Sequence, residues 1–219
     1  MSPCLGSGAD GAIGMLPDAL PAVLMNCAER IAEAQALNVD NYRCTRAMTR
    51  HLLDSGHRRI AFIAGPDDNF DARERLRGYR DALRERCPQV PARVLPGDFD
   101  EASGYRAGQV LLPGQRPDVV FAANDMMALG CLFAFVHAGL RVHDDIALAG
   151  FDDVMMARNV PPALPPLRVD IAGFGAWAMP LPIVALDLPS AAVTAPPPAD
   201  IARQLIVRAS SAQRGTAMD

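Results

Sequence analysis

From Arg58 onward the apolar and polar positions fall into blocks of regular size. "RRIAFIAG" is a short apolar run closed by Gly65, which predicts a buried strand. "ARERLRGYRDALRERC" follows, with Leu76, Tyr79 and Leu83 on one helical face. "ARVLPGDFD" predicts a shorter strand. "EASGYRAGQVLL" predicts a helix with Tyr105, Gly108, Val110 and Leu112 in or near the core. "PDVVFAAND" is a third strand, set off from that helix by proline. "MMALGCLFAFVHAG" is a helix closed by Gly139, and "DIALAGFDD" is a fourth strand. Strands alternating with helices predict a parallel sheet with right-handed crossovers and helices on both faces.

The flanking segments are less regular. "GAIGML", "PAVLMN" and "ALNVDN" have the pattern of short strands. "YRCTRAMTRHLLDSG" predicts a helix with Cys44, Ala47, Met48 and Leu52 on its apolar face and Gly56 at its end. After Asp153, "NVPPALPPLRVDIAGFG" is proline-rich and predicts extended chain. "GAWAMPLPIVAL" has helical spacing, but Pro180 and Pro182 break it. "QLIVRASS" predicts a last strand before a polar tail.

Composition narrows the function classes. The chain has 219 residues, 50% of them hydrophobic and 21% charged, enough to build a core. The net charge of −4 argues against strong nucleic-acid binding by these residues, which requires clustered positive charge. There is no lysine, so arginine supplies every side-chain cation apart from histidine. Five scattered cysteines with no C-x-x-C pair fit a reducing compartment. The first basic residue is Arg30, which predicts no signal peptide and hence the cytoplasm. The apolar run from Met126 to Gly139 is too short to cross a bilayer.

In a parallel α/β sheet the loops after the carboxyl ends of the strands form the ligand crevice. Each of the four strands ends in polar groups. The first gives Asp67, Asp68 and Asn69, with Arg75 one turn into the next helix. The second gives Asp98 and Phe99, the third Asn124 and Asp125, the fourth Asp152 and Asp153. Carboxylates, an amide, a guanidinium fork and an aromatic face suit a neutral polyhydroxylated ligand. Taken singly, Asn124 or Asp125 reads equally as a helix cap, Asp152 as a turn residue, Arg75 as a solvated arginine and Phe99 as core. The recurrence at four strand ends favours the ligand reading.

Catalytic signatures are lacking. The sequence has no G-x-S-x-G, no G-x-x-x-x-G-K-[ST] and no H-E-x-x-H. "GSGADG" matches G-x-G-x-x-G, but it precedes a predicted strand where a dinucleotide site needs it to follow one. His51, His57, His137 and His143 show no ligand spacing. The reading is a non-enzyme that needs no cofactor and no metal.

"GHRRIAFIAGP", "DARERLRGYRDAL", "GDFDEASGYRAG", "RPDVVFAANDMMALG", "GLRVHDDIALAGFDD" and "PPAL" occur in that order. Together they resemble the effector-binding core of LacI/GalR-type bacterial transcription regulators, from about Asp10 to Ser211. The resemblance implies a type I periplasmic-binding-protein-like α/β fold: two lobes of parallel sheet flanked by helices, the N-terminal lobe incomplete here. It implies residues 1–56 as part of the N-terminal lobe and 57–160 as the C-terminal effector-binding lobe. Residues 161–210 are then the crossover and return, and 211–219 a disordered tail. By motif match, Asp152, Arg75, Asn124 and Phe99 take effector-binding places, and Asn69 and Asp71 lie in the loop lining the same cleft. The implied partners are a small effector such as a sugar or polyol and a second copy of the chain, with no membrane. Operator DNA is reached only through a helix-turn-helix head that this sequence lacks. The sequence departs from the family at Pro165 and Pro166, at Pro180 and Pro182, and at Cys44. The missing half-lobe leads to an expectation of poor solubility or a loosened N-terminal lobe. Other readings of the same residues are a sugar-binding protein of a transport system, a sugar- or nucleoside-processing enzyme, and a truncated remnant without function.

Overall fold

The computed structural model describes residues 23–25, 35–152, 154, 166–169 and 203–205. Strands β1 (Val23–Met25) and β2 (Gln35–Leu37) pair in parallel as a small separate sheet. Helix α1 (Asn41–Asp54) leads into the main unit. There β3 (Ile60–Ile63), α2 (Phe70–Arg86), β4 (Arg93–Leu95), α3 (Glu101–Leu111), β5 (Val119–Ala122), α4 (Asp125–His137) and β6 (Ala147–Asp152) alternate. Two further strands complete the sheet, β7 (Pro166–Val169) parallel to β6 and β8 (Arg203–Leu205) antiparallel to β7. The strand order is β4-β3-β5-β6-β7-β8. The expected parallel sheet is present, and the proline-rich segment after Asp153 contributes β7 to it. Pro166 opens that strand, where a missing N–H is tolerated.

The chain moves from β3 outward to β4, then back past β3 to β5. Right-handed crossovers therefore place α2 on one face and α3 and α4 on the other. α1 packs on α2, and α3 on α4. With both faces covered, every residue of β3 and β5 is buried, which explains their unbroken apolar runs. Phe62 and Tyr79 stack at 4.8 Å, Phe62 meets Phe121 edge-on at 5.3 Å, and the Tyr79 hydroxyl donates to the Ile60 carbonyl at 2.7 Å.

The four helices among the described residues all start on an Asp or Asn cap. Asp40, Asn69, Asp100 and Asn124 accept from the backbone N–H of Arg43, Ala72, Ser103 and Met127. Gly56 and Gly139, at φ 88 and 75, follow α1 and α4 as expected. Two expected core positions are corrected. Ala47 is exposed, because α1 buries Cys44, Thr45, Met48, Thr49, Leu52 and Leu53. Val110 is 64% exposed, because α3 packs through Ser103, Gly104, Ala107, Gly108 and Leu111. "ALNVDN" is also shorter as a strand than expected: it ends at Leu37, and Asn41 already belongs to α1. The readings of "GAIGML", of the segment holding Pro180 and Pro182, and of the tail lie outside the described residues.

Candidate functional site

Arg75 lies on the second turn of α2, under the carboxyl ends of β3, β5 and β6. It is 9% exposed, so its charge must be met by protein groups or by a ligand. Its Nε donates to Asn41 Oδ1 at 2.8 Å, and one terminal nitrogen donates to the Ala123 carbonyl at the end of β5. The other terminal nitrogen stands 3.5 Å from Asp152 Oδ1, at the long limit of a hydrogen bond. The guanidinium lies 3.8 Å from the Phe151 ring centroid and 5.8 Å from that of Phe99. A guanidinium has five N–H donors. The rigid plane is thus fixed on several sides and has donor capacity beyond these three contacts.

Asn41 extends the network. Its Nδ2 donates to Asp71 Oδ1 at 2.8 Å and to the Val39 carbonyl at 3.2 Å. Asp71, Asn41, Arg75 and Asp152 form one chain of polar contacts drawn from α1, α2 and the end of β6. Burial raises the carboxyl pKa of Asp71 above the usual carboxylate range, with the Arg75 charge opposing and Asp152 reinforcing the rise. Burial likewise raises that of Asp152, again against the pull of Arg75. The Asp152 side chain keeps 27% exposure although its carboxylate sits deep among protein atoms. Its backbone is in the left-handed region at φ 99, as is that of Phe99 at φ 60. Non-glycine residues in that region cluster at ligand sites.

Phe99 leaves β4 half-buried, its ring laid over Gly65, where a Cβ would overlap it. Its carbonyl accepts from Asn124 Nδ2 at 2.8 Å, while Asn124 Oδ1 caps α4 at Met127 N. Asn69 caps α2. Asp125 is 1% exposed and accepts from Val154 N at 2.8 Å, while its other oxygen fills the place a Cβ at Gly150 would need. The fold therefore groups Arg75, Asp152, Asp71 and Phe99 closely. It attaches Asn124 to the group through Phe99 and sets Asn69 at its margin as a cap. Asp125 is structural.

Three participants were not read from the sequence. Asn41 was hidden inside a segment assigned to a strand. Reading Val39–Asn41 as one more strand-end loop, by the rule that found the others, exposes it. Phe151 and the Ala123 carbonyl sit in apolar runs, and only the folded geometry turns them toward Arg75. Among the described residues no group of His, Cys, Asp and Glu could hold a metal ion, and no helix is long and apolar enough to cross a membrane.

Residues 49–211 match the family model described as a periplasmic binding protein-like domain. The HTH-type transcriptional repressor PurR of Klebsiella pneumoniae (strain 342) is 38% identical over 160 residues, which are 71% of this chain and 47% of that protein. The chain thus spans about half the length of the curated relatives it matches. A sugar-binding LacI-family regulator from Escherichia coli, complexed with phosphate, superimposes with TM-score 0.78 at 27% identity, covering 92% of this chain and 71% of that one. A dimeric Lac repressor lacking 11 C-terminal residues gives 0.74 at 26% identity, covering 88% and 69%. The curated relatives are transcriptional repressors, not enzymes. With fold, motif order and family model in agreement, the chain belongs to the periplasmic-binding-protein-like domain family, in the form carried as the effector-binding core by LacI-type transcriptional regulators.

Proposed function

We propose that this chain senses a small neutral polyhydroxylated effector, a sugar or related polyol, at the carboxyl ends of β3–β6. It does so as the ligand-responsive core of a cytoplasmic transcriptional repressor. The observation that carries the reading is Arg75, a buried guanidinium held by Asn41, Ala123 and Asp152 and lying near two aromatic rings, with donor capacity to spare. Asp152 and Asp71 supply acceptors for hydroxyls, and Phe99 supplies an apolar wall. Asn124 and Asn69 complete the site. Residues 57–160 form the effector lobe in this reading, with 1–56 and 161–210 contributing to the N-terminal lobe and 211–219 a tail. Binding shifts the lobe arrangement of a homodimer and so the seating of a helix-turn-helix head on operator DNA.

Titration calorimetry of the 219-residue chain against D-ribose, D-glucose, D-galactose and myo-inositol tests this. Saturable binding by at least one is expected, weakened at least 100-fold by Arg75→Ala. Arg75→Lys, which keeps the charge but loses the planar fork, is expected to weaken it nearly as much. Absence of binding by all four, or undiminished binding by both variants, overturns it.

A further inference from the structure

The chain passes from the small sheet to the main unit through three residues, Asn38, Val39 and Asp40, between Leu37 at the end of β2 and Asn41 at the start of α1. Asp40 has φ −76 and ψ 74, and the Asn41 backbone N–H donates to the Val39 carbonyl at 2.8 Å. Those angles and that bond make an inverse γ-turn centred on Asp40. The Asn41 side chain closes on the same turn, its Nδ2 donating to the Val39 carbonyl at 3.2 Å.

The rest of that amide leads away from the turn. Nδ2 also donates to Asp71 Oδ1 on α2 at 2.8 Å, and Oδ1 accepts from Arg75 Nε at 2.8 Å. Both amide hydrogens and the amide oxygen are thus engaged, and the residue is 2% exposed. One buried side chain ties the link between the two sheets to the guanidinium under the strand ends. The task needs an amide, because the group must donate twice and accept once.

We propose that Asn41 is a positioning residue that couples the γ-turn at Asp40 to Arg75, so that the setting of the arginine governs how freely the chain turns between β2 and α1. Residues 38–40 are then a hinge between the small sheet and the main unit, and Asn41 is its latch. The proposal rests on the reading of Arg75 as an effector contact, and it names how occupancy there is passed on. An effector that takes the remaining donors of Arg75 steadies the guanidinium, the Asn41 amide and the turn together.

The first arm of the test needs no effector. In the double variant Asn41→Asp with Asp71→Asn, the carboxylate at position 41 still accepts from Arg75 and from the amide at position 71. It cannot donate to the Val39 carbonyl and sets an oxygen against it. Arg75→Ala instead removes the donor to Asn41 Oδ1. Amide exchange at position 41, measured by NMR relative to that of α3, is expected to be about fivefold faster or more in both. Unchanged relative exchange in either overturns the proposal. The second arm uses whichever of D-ribose, D-glucose, D-galactose and myo-inositol binds the unaltered chain. Saturation is expected to slow exchange at residues 36–41, and its absence overturns the proposal. Coupling is reciprocal, so loosening the turn must weaken binding. Asp40→Gly and Asp40→Ala both remove the cap of α1, but only glycine frees the backbone of the turn. Asp40→Gly is expected to bind about threefold or more weaker than Asp40→Ala. Equal affinities overturn the proposal. If none of the four compounds binds, the proposed function fails in that form, and the first arm still decides whether Asn41 latches the turn to Arg75.

Discussion

Arg75, Asp71 and Asp152 set one fixed positive charge against two carboxylates, with neutral Asn41 between the arginine and Asp71. Burial raises the carboxyl pKa of Asp71, so the folded protein holds that proton more tightly than the unfolded chain does. Its contribution to stability is therefore full below the unfolded pKa, about 3.9, and is lost as pH rises through the raised folded value. Asp71→Asn keeps an acceptor for Asn41 and removes the titration. It is expected to melt above the native chain at pH 7–8, with the difference vanishing below about pH 4; the readout is the difference between the two melting curves across pH. A variant melting below the native chain at pH 8 would show that the Arg75 attraction outweighs burial. At this scale the sequence was legible where polar residues interrupt an apolar run, as at Asp152 and Asn124. It was not legible at Phe151, whose contact with Arg75 depends on how α2 crosses the sheet.

The helices differ in how they announce themselves. α1 and α2 meet the core through Met48, Leu52, Tyr79 and Leu83, so helical spacing of bulky residues found them. α3 approaches α4 through Gly104, Ala107 and Gly108, against Met127, Cys131 and Ala134. Small residues give a weak apolar signal, which is why Val110 was read inward although it faces outward. The closeness of this pair yields a prediction. A Cβ at Gly130 would overlap the backbone of Glu101, which cannot yield as a side-chain end would. Gly130→Ala is expected to cost about 3 kcal/mol or more by forcing α3 and α4 apart. In a domain this size that lowers the melting temperature by roughly 6–12 °C. Calorimetric melting of the variant checks it, and a loss under about 1 °C would show that the pair can slide apart freely.

For the whole molecule, alternation of strand and helix foretold a parallel sheet, but strand order and the antiparallel placement of β8 are set by pairings far apart in sequence. The reversal of order between β3 and β5 is where the polar strand ends gather, as expected for such sheets. A net charge of −4 does not favour phosphate contacts. In a gel shift at 150 mM salt the 219 residues alone are expected to retard no operator-length duplex in a sequence-dependent way. A sequence-specific shift would show a DNA-binding surface within the chain. The layered core also carries its own chemical clock. Cys44 on α1, Cys87 after α2 and Cys131 on α4 are buried thiols outside any disulfide, and burial keeps the Cys131 thiol protonated well beyond its usual range. A thiol reagent reaches each only when its own layer opens. Cys44 and Cys87 time the layer on one face of the sheet and Cys131 the layer on the other. The order in which the peptides holding them gain the reagent's mass records which side of the sheet loosens first, with no mutation added.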